Sequence, residues 1–159
     1  MTALIAINDL FYTYGGRAAP TLAGINLAIN EGDFVLITGR TGCGKSTLLK
    51  TFNGLIPHES GGTLTGGIRV AGRDPRRLSV AALSGLVGLV FQNPEDQIFA
   101  TKVYDEVAFV LENAGMEQAA ASKRVAEALA QVGLAGKEQT GVHTLSGGQK
   151  QRLALAAVL

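Results

Sequence analysis

Between Gly39 and Thr47 the chain reads "GRTGCGKST", a run with the spacing G-x-x-x-x-G-K-S. Glycines at this spacing let consecutive backbone N–H groups curl around an anion, and a helix beginning at Lys45 adds its partial positive charge. Lys45 then reaches the terminal phosphates of a nucleotide, and the Ser46 hydroxyl ligates Mg2+. Gly39, Arg40, Thr41, Gly42, Cys43, Gly44, Lys45, Ser46 and Thr47 are therefore the candidate nucleotide-binding residues. A bland glycine-rich turn holding a lysine would not need an apolar strand before it and a helix after it, and both are expected here. The chemistry implied is the binding of a nucleoside triphosphate. Cys43 inside the loop is either a small filler or a thiol activated by the helix N-terminus and Lys45; the second reading expects nucleotide to protect it from alkylation.

The elements that must hold this loop can be read on either side of it. "LIAINDLFYTY" (4–14) and "TLAGINLAI" (21–29) alternate apolar and polar positions, as half-buried antiparallel strands do. Glu31-Gly32-Asp33 makes a turn, and "FVLIT" (34–38) is apolar on both faces, as a central parallel strand should be. "KSTLLKTFNG" is a short helix with Gly54 just past its end. A glycine-rich loop at 57–67, an edge strand "GIRVAG" and a second buried strand "GLVGLVFQ" follow, the last ending at Gln92-Asn93-Pro94. From Val103 the period becomes helical: Val103, Val107, Val110 and Ala114 share one face, Val125, Leu129 and Val132 another, and Gly133 ends that helix. Ser146 is expected to cap a final helix.

Composition narrows the classes. With 47% hydrophobic and 17% charged residues the chain can bury a core, and disorder is excluded as its general state. Twenty-one glycines in 159 residues are nearly twice the usual share of about 7%, and they cluster in loops, which points to recognition by backbone. A net charge of +1 gives no electrostatic drive toward nucleic acid or anionic lipid. The single cysteine rules out an internal disulfide and fits a reducing compartment. The N-terminus lacks the basic region and apolar run of a signal peptide, and the longest apolar stretch is far short of the ~20 residues that span a bilayer. His58 and His143 are expected to be solvated loop residues without a role.

A second motif sharpens the reading. "LSGGQ" (145–149) lies downstream of the phosphate loop, after a glutamine-ended apolar strand and a helical insert. In this arrangement the whole chain resembles the ATP-binding subunit of an ABC transporter. The resemblance implies an α/β fold with a P-loop NTPase parallel-sheet core, an antiparallel β subdomain and a small α-helical subdomain. The expected partition is 1–97 for the antiparallel β and phosphate-loop core, 98–145 for the helical subdomain and 146–159 for the start of the signature helix. By the same resemblance Tyr14, in "YTYGG", matches the aromatic that stacks on adenine, with Phe11 and Tyr12 as neighbours of similar type. Gln92 matches a glutamine that touches Mg2+ or the attacking water and moves with the membrane partner; with Lys45 it makes the candidate catalytic pair, and with Ser46 the candidate metal ligands. Ser146, Gly147, Gly148 and Gln149 match the signature that contacts the γ-phosphate held by a second subunit. The implied cofactors are ATP and Mg2+. The implied partners are a second ATP-binding domain (homodimer, heterodimer or tandem) and a transmembrane transporter subunit, with no nucleic acid. The implied location is cytoplasmic, at the inner face of the cell membrane.

"VFQNPEDQIFATKVYDEVAF" further resembles energy-coupling factor transporters, which import vitamins and transition-metal ions. "NGLIPHESGGTLTGGIRVAG" resembles the first half of tandem ATPases assigned to uptake of a thiamine precursor. Val110 departs from the glycine expected after "VAF". Glu95, Asp96 and Gln97 would lie near the groove for the membrane partner.

In the family a strand ending in Asp-Glu, an Asp loop and a switch histidine follow the signature helix; none has a match here, and "LALAAVL" ends without a cap. The expectation is an N-terminal portion of a longer ATPase, with an apolar strand edge left exposed. Two other readings stand beside it: a nucleotide-binding fragment without hydrolysis, and an ABC ATPase with no membrane role.

Overall fold

The computed structural model describes residues 3–159. Packing divides the chain into two compact units, Met1–Gly88 and Leu89–Leu159.

The first unit is built on a three-stranded antiparallel sheet of order β2-β1-β3, with β1 at Ile5–Thr13, β2 at Leu22–Ile29 and β3 at Thr63–Val70. The apolar alternation that predicts β1 slips once. Asp9 takes φ +48°, the register shifts there, and Ile7, Leu10 and Tyr12 all reach the buried face. The bulge needs Gly66 opposite it, at φ +89°, where an added Cβ would stand 2.0 Å from the Asp9 carbonyl oxygen. Helix α1 (Lys45–Phe52) sends Leu48 and Phe52 into the same core, joined by Ile56 from the single turn α2 (Leu55–His58). A short helix α3 (Val80–Ser84) is capped by Ser79, whose hydroxyl accepts from the Ala82 N–H.

The two apolar runs expected as parallel strands differ from the expectation. Neither 34–38 nor 85–92 is hydrogen-bonded into a sheet among the described residues, and the sheet described is antiparallel. Phe34 is 98% exposed and Leu36 81%, so the run that leads into the phosphate loop carries uncovered apolar surface. An apolar sequence asks for cover on both faces; it does not supply the neighbouring strand.

The second unit is helical. Helices α4 (Val103–Asn113), α5 (Gln118–Gln131) and α6 (Gly147–Ala156) pack together around Val103, Val107, Val125, Leu129 and Leu153. The face assigned to α4 is partly corrected: Val103 and Val107 are buried, but Val110 is half exposed and Ala114 is exposed, while Glu106 and Ala108 turn inward. Glu106 is admitted because its carboxylate accepts from the Phe99 and Ala100 N–H groups at 3.1 and 2.8 Å, which fixes the chain entering α4. α5 ends as expected on Gly133 at φ +69°, with Leu134 N–H reaching back to the Leu129 carbonyl at 2.8 Å.

Candidate functional site

In the first unit the loop from Gly39 to Gly44 turns back on itself and delivers the chain into α1. Gly44 stands at φ +98°, where an added Cβ would meet the Thr21 carbonyl oxygen at 3.0 Å, so a side chain is strained by conformation and crowded by a backbone oxygen. No side chain caps α1. The N–H groups of Lys45, Ser46 and Thr47 therefore have no intrahelical acceptor, and the positive end of the helix opens on the loop. The Lys45 ammonium folds over the loop and donates to the carbonyls of Gly39 and Arg40, each at 2.9 Å. It also lies 3.8 Å from the Cys43 sulfur. Arg40, Thr41, Gly42, Cys43 and Ser46 are exposed, whereas Thr47 is buried beneath the first turn. Open N–H groups at an uncapped helix end, with an ammonium resting on the carbonyls of the same loop, have the chemistry of an anion cradle.

The candidate aromatic belongs to this cluster. The Tyr14 and Thr47 hydroxyl oxygens are 3.1 Å apart, and the Tyr14 ring meets Tyr12 edge to face, with centroids 4.8 Å apart. The two neighbours named in the sequence divide clearly from it. Tyr12 is fully buried, with its hydroxyl donating to the Gly61 carbonyl at 2.8 Å, and Phe11 projects from the sheet. Burial, and then the nearby Tyr14, raise the Tyr12 pKa, so it stays a neutral core residue. Arg17, which sequence reasoning missed, lies over the Tyr14 ring at 5.7 Å from its centroid. Its signal was a basic residue just past a Gly-Gly turn.

Mg2+ takes one or two protein oxygens and completes its shell with phosphates and water. An exposed Ser46 hydroxyl on the first turn of α1 fits that donor chemistry, and the amide oxygen of Gln92 is of the same hard class. Among the described residues no group of three or more His, Cys, Asp or Glu could hold a metal.

In the second unit Gln92 is exposed and precedes a turn, Pro94–Asp96, capped by Asn93. The signature residues form the start of α6. Ser146 is its N-cap: its hydroxyl accepts from the Gln149 N–H at 3.3 Å, and the Gln149 side chain accepts from the Ser146 N–H at 2.9 Å. Gly147 and Gly148, the first two helical residues, keep N–H groups with no intrahelical acceptor, and both are exposed. Lys150, one residue on, holds Glu95 at 2.5 Å, tying α6 to the Pro94–Asp96 turn. That hydrogen bond, ahead of the charge itself, draws the Glu95 carboxyl below its ordinary range. His58 and His143 are exposed.

A family model described as "ABC transporter" matches residues 22–159. The chain is 58% identical over 156 residues to a Methanosarcina acetivorans protein whose name assigns it as an ABC transporter ATP-binding protein, covering 98% of this chain and 24% of that one. The chain thus spans about a quarter of that relative. Among solved structures, cbiO1 from Clostridium perfringens, described as part of the ABC transporter complex cbiONQ, has a TM-score of 0.85 at 34% identity. It covers 100% of this chain and 62% of its own. MJ0796, described as the dimeric post-hydrolysis state of an ATP-binding cassette bound to ADP and Pi, has a TM-score of 0.81 at 28% identity, over 98% of this chain and 68% of its own. The fold is that of these P-loop ATPases, represented here by part of the domain.

Proposed function

The chain belongs to the ABC transporter ATP-binding family, and from that premise we propose that it couples ATP binding and hydrolysis to import of a small nutrient through a membrane partner. The observation that carries this reading is the loop at Gly39–Thr47, where the helix end is uncapped and the Lys45 ammonium rests on the carbonyls of Gly39 and Arg40. Lys45 leaves the carbonyls of Gly39 and Arg40 for the terminal phosphates, Ser46 offers its hydroxyl to Mg2+, and Tyr14 supplies a face for adenine. Bound Mg2+ neutralises charge that develops on the phosphates. Gln92 orients the attacking water. Ser146, Gly147, Gly148 and Gln149 serve the nucleotide of a second ATP-binding domain, in a head-to-tail pair.

The nutrient class, a vitamin, a vitamin precursor or a transition-metal ion, rests on the "NPEDQIF" segment and on similarity to cbiO1. A membrane partner is supported by an exposed aromatic pair in the helical unit: Phe99 is 62% exposed, Phe109 45%, and their rings meet at 4.5 Å. Such a partner would hold the protein at the inner face of the membrane; among the described residues no helix is long and apolar enough to cross one. Residues 98–145 would be the helical subdomain and 146–159 the start of the signature helix.

Titration with Mg-ATP tests the reading. Lys45→Ala should weaken binding by about 10-fold or more, the worth of a charge-assisted contact, with an unchanged circular dichroism spectrum. Equal affinity in the variant would remove the phosphate-loop assignment. A second reading is that these 159 residues alone bind nucleotide without turning it over, because the family's Asp-Glu pair and switch histidine have no match among them. Phosphate release by the purified chain that disappears in Lys45→Ala would overturn it.

A further inference from the structure

Arg17 is set by a turn in which its N–H donates to the Tyr14 carbonyl at 3.1 Å, with Gly16 at φ +76°. The turn brings the guanidinium carbon to 5.7 Å from the centre of the Tyr14 ring. That ring is held on two sides, by the edge-to-face contact with Tyr12 and by the Thr47 hydroxyl at its own. Arg17 has no carboxylate partner among the described residues. It also lines a cleft of about 520 Å³ together with Pro20, Thr21 and two phosphate-loop residues, Gly42 and Cys43. The cleft is open to solvent, so it leaves the guanidinium room to move beside the loop.

We propose that Arg17 is the second jaw of the nucleotide base site, closing over the face of the base that Tyr14 does not touch. A flat base between the two needs two stacking separations, about 7 Å in all. The observed 5.7 Å falls short by a little over 1 Å. An exposed side chain preceded by Gly15 and Gly16, around which nothing lies within 4 Å of an added Cβ, can open that far. Without nucleotide the guanidinium covers Tyr14 by cation–π attraction; with nucleotide it moves outward and keeps the same kind of contact with the base. The proposal rests on the nucleotide reading of the phosphate loop.

Calorimetric titration with Mg-ATP and with inorganic tripolyphosphate, which has no base, separates the two. Arg17→Ala should weaken ATP binding by about 3- to 30-fold and leave tripolyphosphate binding unchanged, with Arg17→Lys in between. In a Tyr14→Ala background the effect of Arg17→Ala on ATP should shrink. Equal losses for ATP and tripolyphosphate would make Arg17 a phosphate ligand and overturn the proposal, as would unchanged ATP affinity. If the unaltered protein bound tripolyphosphate but gained nothing from the base, the jaw would fail while the phosphate loop stood. Binding of neither would remove both.

Discussion

Two helices in this chain begin on glycine-rich sequence, and their ends are built differently. At α1 the glycine that precedes the helix is set by conformation: Gly44 sits in left-handed backbone with the Thr21 carbonyl oxygen 3.0 Å from where a Cβ would stand. The end is left uncapped, and Lys45 occupies the loop's own carbonyls. At α6 the end is closed by a reciprocal Ser146–Gln149 cap, and the glycines face open space, with nothing within 4 Å of an added Cβ at Gly147 or Gly148. An uncapped end whose shape depends on glycine leaves its donors open, which suits the nucleotide phosphates proposed for it. A self-capped end with unencumbered glycines is rigid before any partner arrives, and its open N–H groups suit a phosphate brought from outside the chain.

Substituting glycine at the two ends should therefore give opposite results. Gly44→Ala forces a side chain into left-handed backbone, at roughly 1–2 kcal/mol, and against a backbone oxygen, at a further 1–3 kcal/mol or so. ATP affinity measured by titration should fall by about 30-fold or more. Retention of affinity within threefold would mean that the loop reshapes on binding and that its observed form is not the binding form.

Gly147→Ala should leave the fold intact and the melting temperature unchanged or slightly raised, because alanine is the better helix former by up to about 1 kcal/mol. Its effect should appear instead in ATP-dependent dimerisation, measured by light scattering. A clear loss of stability would contradict the open surroundings of this glycine.

How much of this was legible in the sequence differs between the same regions. The Ser146 cap, the Gly133 stop and the α1 boundaries follow from short-range chemistry, so residue type and spacing were enough. The bulge at Asp9 was not legible, because it depends on Gly66 arriving more than fifty residues later to make room. The strand reading of "FVLIT" and "GLVGLVF" met the same limit: apolar periodicity is local, whereas a ladder is a property of two segments. Arg17 was passed over because a lone arginine in a turn usually means solvent, and only its position over Tyr14 separates it from that background.

The cap itself gives a smaller effect. Ser146→Ala removes the acceptor of the Gln149 N–H and should destabilise the chain by about 1 kcal/mol, read from urea unfolding. Ser146→Asp, which can still cap, should recover that stability while placing negative charge where a phosphate is proposed to dock, so it should not recover ATP-dependent dimerisation. Recovery of both would strip the signature end of any role beyond capping.

The smallest effect concerns how α6 is tethered. Lys150 holds Glu95, and the hydrogen bond lowers the carboxyl below its ordinary value of 4.5. A lowered folded value means that the contact contributes above the ordinary carboxylate range and is lost as pH falls through the lowered value. At neutral pH the tether is complete. Carbon-detected NMR titration should place the Glu95 midpoint below 4.5 and return it to the ordinary value in Lys150→Met. Because Glu95 is mostly solvent-exposed, global stability should barely respond. Only the order of the Pro94–Asp96 turn, followed by its amide exchange, should loosen. An unshifted midpoint would mean that solvent screens the pair and that it does not tether the turn beside Gln92.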